Sequence, residues 1–199
     1  MALNKKILAL AAAAGMCAAG SAMAFDGTIN FTGEISAASC KITGGAGTEV
    51  TNGGAGKQDI TVSLGKVSAD SIGTVEEGTV AGGTSISLNL DCGNTATDLS
   101  LVKMKFDPLA GSGLDGKNNQ LLKVAGSAKG VGIGLFDNNN KLLNLAANET
   151  VNAPLVKGGS DDAPVYTAAL NLRAGYVANG EKVEAGLANG TLPFTLSYE

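Results

Sequence analysis

The 199-residue chain contains no histidine and no tryptophan. Without histidine a Ser-His-Asp or Cys-His catalytic arrangement is excluded, and zinc loses a principal nitrogen ligand. Aromatic residues make up only 4% of the chain, too few for a platform on which bases or sugars would stack. Cations are in the minority, with 14 Lys and Arg against 18 Asp and Glu. Nucleic acid and anionic membrane surfaces both call for a basic patch, so neither is expected as a partner. Helical periodicity is scarce, and no apolar run reaches the roughly 20 residues of a membrane span. Cysteine is rare as well, with three in all.

What is present begins with an export pattern. Lys5 and Lys6 precede an apolar stretch from Ile7 to Ala19, and Ser21-Ala22-Met23-Ala24 supplies the small-x-small pattern of a signal-peptidase site. Residues 1–24 therefore read as a cleaved secretory signal rather than a buried N-terminal helix. Beyond it lie 175 residues carrying 12 basic and 18 acidic side chains, one domain's worth of chain with a net charge of −6. Cys17 leaves with the signal. Cys40 and Cys92 remain in an oxidising compartment and read as one disulfide; they are not spaced as a redox CxxC, and a zinc site would need further ligands. No cofactor is expected.

Strand signals dominate the rest. Period-two alternation or short apolar runs mark Ile29–Ile35, Ser39–Thr43, Asp59–Leu64, Thr84–Cys92, Leu99–Phe106, Leu121–Val124, Val131–Asp137, Lys141–Leu145, Thr167–Val177 and Thr191–Tyr198. Between them stand turn formers such as Gly82-Gly83, Asp137 to Asn140, Gly158-Gly159 and Asn179-Gly180. Many short strands separated by turns predict an all-β sandwich or barrel. Val67 to Ile72 reads as a short helical turn, and Gly44 to Gly56 as a flexible surface insertion. No linker or repeat divides the chain.

Possible chemistry is thin. Asp161-Asp162 sits before Ala-Pro in a loop and reads as a solvated turn rather than an acid/base pair. Asp137-Asn138-Asn139-Asn140 lacks the spacing and closing Glu of a calcium loop, so a hairpin turn is expected. Gly130, Gly132 and Gly134 precede no helix, which excludes a phosphate loop; alternate glycines thin one strand face for close packing. The chain is not expected to be an enzyme.

The two ends are the most informative segments. Gly27-Thr28-Ile29-Asn30-Phe31-Thr32-Gly33-Glu34-Ile35 alternates apolar or small with polar residues, and Leu192, Phe194, Leu196 and Tyr198 share one face of the last strand. A terminal strand with one apolar face must pack it on its own domain or on a neighbour. Strand exchange between chains is therefore expected.

Together with Ile86-Ser87-Leu88-Asn89-Leu90-Asp91-Cys92, Gly130 to Asp137, Arg173-Ala174-Gly175-Tyr176-Val177-Ala178 and Val183 to Asn189, these segments resemble the structural subunits of chaperone–usher fimbriae, in particular the type 1 pilin family. Gly186 stands fourteenth and Tyr198 second from the end, as in that family. The resemblance implies an incomplete immunoglobulin-like β-sandwich, the pilin fold, over residues 39–199, completed by a donor strand from another chain. It implies a donor-strand extension over residues 25–38, with Ile29, Phe31, Gly33 and Ile35 facing the groove of the next subunit. Gly186, Leu192, Phe194, Leu196, Tyr198 and Glu199 are then expected at the acceptor groove and at chaperone recognition, with the Glu199 terminal carboxylate as the handle. The implied partners are identical or related pilin subunits, a periplasmic chaperone and an outer-membrane usher. The implied location is a surface fimbrium reached through the periplasm, where the subunit would support adhesion. A minor or adaptor subunit, or a small secreted lectin-like adhesin, is the alternative. Two departures bear on geometry: Gly175 is expected to mark a bulge, and Pro193 to remove one ladder bond from the final strand.

Overall fold

In a computed structural model the described residues are 40–54, 57–74 and 81–199. The signal segment and the extension that carries Ile29, Phe31, Gly33 and Ile35 lie outside them.

The described residues form an all-β sandwich. Its larger sheet runs in the order β1 (Lys41–Gly44), β4 (Ala81–Asp91), β10 (Ala163–Ala178), β7 (Val131–Phe136) and β6 (Leu122–Lys123), with β9 (Val156–Ser160) pairing the start of β10. The second sheet runs β11 (Phe194–Tyr198), β5 (Leu101–Phe106) and β8 (Thr150–Pro154), and β2 (Thr48–Gly54) pairs β3 (Lys57–Val62) in a hairpin. All pairings are antiparallel.

Alternation explains which faces meet. In β4, Ile86, Leu88 and Leu90 point inward, opposite Leu172, Leu170 and Ala168 of β10. Val102, Met104 and Phe106 of β5 and Ala153 of β8 close the same core from the other sheet. Each large aliphatic side chain buried in this way contributes about 1.5–3 kcal/mol. At the far end of β10 the pattern changes, because Ala174, Gly175 and Val177 are all buried. There Leu121, Phe136 and Val177, with Leu142, form a second small core on the outer face. Gly132 and Gly134 make room for it: a Cβ at Gly132 would lie 2.8 Å from the Leu121 Cβ, and one at Gly134 3.0 Å from Val177 Cγ2.

Several expectations are corrected. The Gly44–Gly56 stretch is not a loose insertion. Residues 48–54 pair with β3, and Val50, Ile60, Val62 and Leu64 pack against the main core. Lys141–Leu145 forms no strand. It contributes a single bridge from Leu142 to Phe136 and turns into a 3-10 helix at Leu145–Ala147, whose Asn144 cap accepts from the Ala147 N–H. Besides β2, the strands β8 and β9 were not anticipated; the latter is exposed on both faces and so carries no apolar alternation. The irregularity near Gly175 is real but lies elsewhere. Gly175 pairs regularly with Gly134, whereas β4 takes three steps from Thr84 to Ala81 while β10 takes two from Ala174 to Tyr176. The extra residue is thus in the Gly82-Gly83 segment.

Other expectations hold. Ala69–Ser71 is a short 3-10 turn. Asp137 to Asn140 is a hairpin turn: Asp137 Oδ1 accepts from the N–H groups of Asn139 and Lys141, and Asn140 adopts a positive φ of 60°. Asp161-Asp162 turns β9 into β10, with Asp161 paired to Lys157 at the surface.

Candidate functional site at the C-terminal strand

β11 pairs β5 in the register Phe194 to Phe106, Leu196 to Met104 and Tyr198 to Val102. Among the described residues it has no strand on its other side. It is an edge strand, with one row of main-chain groups left for a partner. Leu192, Phe194, Leu196 and Tyr198 are half-buried and pack against the main core, while Thr195 and Ser197 are exposed. The expected apolar face is therefore present, incompletely covered, along an open edge.

Pro193 stands one residue before β11, and its carbonyl accepts from the Asp107 N–H at 2.8 Å, in phase with the β11–β5 ladder. The reciprocal bond to Asp107 is missing because proline has no N–H, so the expected loss of one ladder bond holds at the threshold of the strand.

The chain end is held firmly. The Glu199 N–H donates to the Leu101 carbonyl, and the main-chain oxygen of Glu199 accepts from the N–H groups of Ser100 at 2.6 Å and Leu101 at 2.8 Å. Its side-chain carboxylate pairs with Lys103 Nζ at 2.6 Å. Sequence reasoning marked Glu199 but missed Ser100 and Lys103, which neighbour it only through the β5–β11 register. Tyr198 ends the half-buried row. Burial raises its phenol above the ordinary value of 10.0, opposed by the main-chain N–H of Cys40 facing the hydroxyl.

Cys40 and Cys92 are disulfide-bonded as expected, tying the start of β1 to the end of β4 across 52 positions. Lys41 pairs Asp91 directly beside the bridge. Gly186 has a different setting from the β11 row. A Cβ there would lie 2.3 Å from the Ala128 nitrogen, because residues 184–189 run antiparallel to 125–129. The absence of a side chain at 186 is accounted for by this close approach within the chain. Tyr176 supports the same crossing, its hydroxyl donating to the Ala188 carbonyl at 2.9 Å.

Comparison with known proteins gives a consistent result. The family model described as fimbrial protein matches residues 29–199. A type-1 fimbrial protein subunit of Serratia marcescens is 33% identical, covering 99% of this chain and 100% of that one. The probable major fimbrial subunit LpfA of Escherichia coli O157:H7 is 32% identical, covering 87% and 84% respectively. Among solved structures, the P pilus rod subunit PapA is similar at a TM-score of 0.47 with 18% identity, covering 86% of this chain and 100% of that one.

Proposed function

Because this chain belongs to the fimbrial protein family and is a structural subunit of a surface fimbria, we propose that it polymerises by donor-strand exchange, the edge of β11 accepting an extended segment from a neighbouring subunit. The observation that carries this reading is the combination on β11 of an unpaired edge with a half-buried apolar row, Leu192, Phe194, Leu196 and Tyr198. Main-chain hydrogen bonds along such an edge supply affinity, and the spaces between alternate side chains supply specificity.

The donor is residues 25–38, which follow the signal 1–24 in the sequence, and the acceptor is the domain 39–199. Ile29, Phe31 and Ile35 alternate in the donor, and Gly33 takes the remaining position of the same sequence alternation. Burying three such side chains contributes roughly 5–9 kcal/mol before ordering costs. An apolar edge of this kind is an aggregation hazard during export. A periplasmic chaperone covers it with a lent strand until an outer-membrane usher passes the subunit to the growing fibre. Glu199, at the end of β11, contributes to that recognition. The subunit performs no catalysis, and having both donor and acceptor suits a major shaft position.

Removing Gly27–Ile35 tests the reading. The truncated chain folds and reaches the periplasm but does not join filaments as donor, which electron microscopy of the cells would show. Filaments of normal length built from the truncated chain would overturn the proposal.

A further inference from the structure

β1 presents one edge to β4 and the other to the β2–β3 hairpin. Gly45, next after β1, donates its N–H to the Ser87 carbonyl of β4. Residues an odd number apart along an antiparallel strand direct their N–H groups to opposite sides, so the Ile42 N–H belongs to the outer edge of β1. It donates to Gln58 Oε1 at 3.3 Å.

Gln58 is out of pattern where it stands. The half-buried row of β3 is Gln58, Ile60 and Val62, with Lys57, Asp59 and Thr61 exposed. Ile60 and Val62 pack against the main core. An amide in an apolar row is unfavourable unless it is hydrogen-bonded, and this one is bonded to β1.

An uncovered strand edge is a template for pairing with another chain. The sandwich has two edges near the disulfide, those of β1 and β11. Among the described residues no side chain bonds to the main chain of Phe194–Tyr198, whereas the outward Ile42 N–H at the middle of β1 is met by Gln58. We propose that Gln58 guards the outer edge of β1, so that an extended segment of a second copy adds to β11 and not to β1. This rests on the strand-addition reading above and deepens it by assigning a residue that selects the edge.

The test uses the purified full chain, a synthetic peptide of residues 27–35, amide exchange at Ile42 and native mass spectrometry. Gln58→Ala is expected to speed Ile42 exchange on the order of tenfold, as for loss of one hydrogen bond, and to take up one more peptide equivalent than wild type. Gln58→Glu keeps an acceptor oxygen and is expected to behave as wild type in both measurements. Gln58→Leu removes the acceptor at nearly unchanged side-chain size in the apolar row of β3; it is expected to behave as Gln58→Ala, and it serves if Gln58→Ala does not fold. Unchanged Ile42 exchange in Gln58→Ala, or faster exchange with no additional peptide, would overturn the proposal. A wild-type chain that binds no peptide defeats the strand-addition reading instead, and the extra uptake by Gln58→Ala still decides the guard.

Discussion

The Glu199 carboxylate lies 2.6 Å from the Lys103 ammonium, and the main chain of the same glutamate is bonded to Ser100 and Leu101. The end of β11 is thus clamped to the start of β5, and the half-buried row from Leu192 to Tyr198 is stretched along a fixed line. Preorganisation of this kind lowers the ordering cost of accepting a strand.

The main-chain clamp and the ion pair are separable. Deleting Tyr198 and Glu199 is expected to abolish co-purification of the periplasmic chaperone while export continues. Lys103→Ala is expected to keep chaperone recovery and to change stability by no more than about 1 kcal/mol, as for a surface pair. Equal chaperone recovery from the deletion and the wild type would show that the chain end is not the handle.

The Cys40–Cys92 bond closes a long loop. Reduction, or Cys40→Ser, is expected to destabilise the domain by roughly 4 kcal/mol in the chain-entropy account. Denaturant unfolding of oxidised and reduced protein measures this, and periplasmic yield of the variant should fall sharply. Two titratable thiols in the denatured, unreduced protein would contradict the bond.

Gly132 and Gly158 make a matched pair. Alanine at Gly132 forces its Cβ to 2.8 Å from that of the fully buried Leu121, whereas at Gly158 the nearest neighbour is 3.7 Å away. Gly132→Ala is expected to destabilise by about 1–3 kcal/mol through overpacking, and Gly158→Ala to stay within about 0.5 kcal/mol of wild type. Equal effects in the same denaturant titration would show that the second small core is loosely packed.

Glu149 accepts from the Asn144 N–H and pairs with Lys141, which holds its carboxyl below the ordinary 4.5. A depressed folded value means that its contribution is present above the unfolded value and is lost as pH falls through the folded one. NMR titration should place the Glu149 midpoint below 4.5. In Glu149→Gln, the loss of stability on acidification through that window should be smaller than in wild type.

By itself, the sequence determined which side chains face inward along its regular strands. Ile86, Leu88 and Leu90, the alternating residues after Thr167, and the row from Leu192 to Tyr198 announce their faces because period two is a property of a single strand. The two mature cysteines announced their bond by elimination, and Asp137 to Asn140 announced a turn through its own side-chain bonding.

Only the tertiary structure decided who pairs with whom. β9 has no buried face and exists because β10 is long enough to receive it. Val50 sits in a glycine-rich stretch that becomes a strand through pairing with β3. Gly175 looked like the bulged residue, yet the register places the extra residue on β4. Ser100, Lys103 and Gln58 gained their roles from strands distant in sequence, as did the close approach that accounts for Gly186. Edges, registers and caps are relations between segments, and their free energy comes from contacts that no local pattern contains.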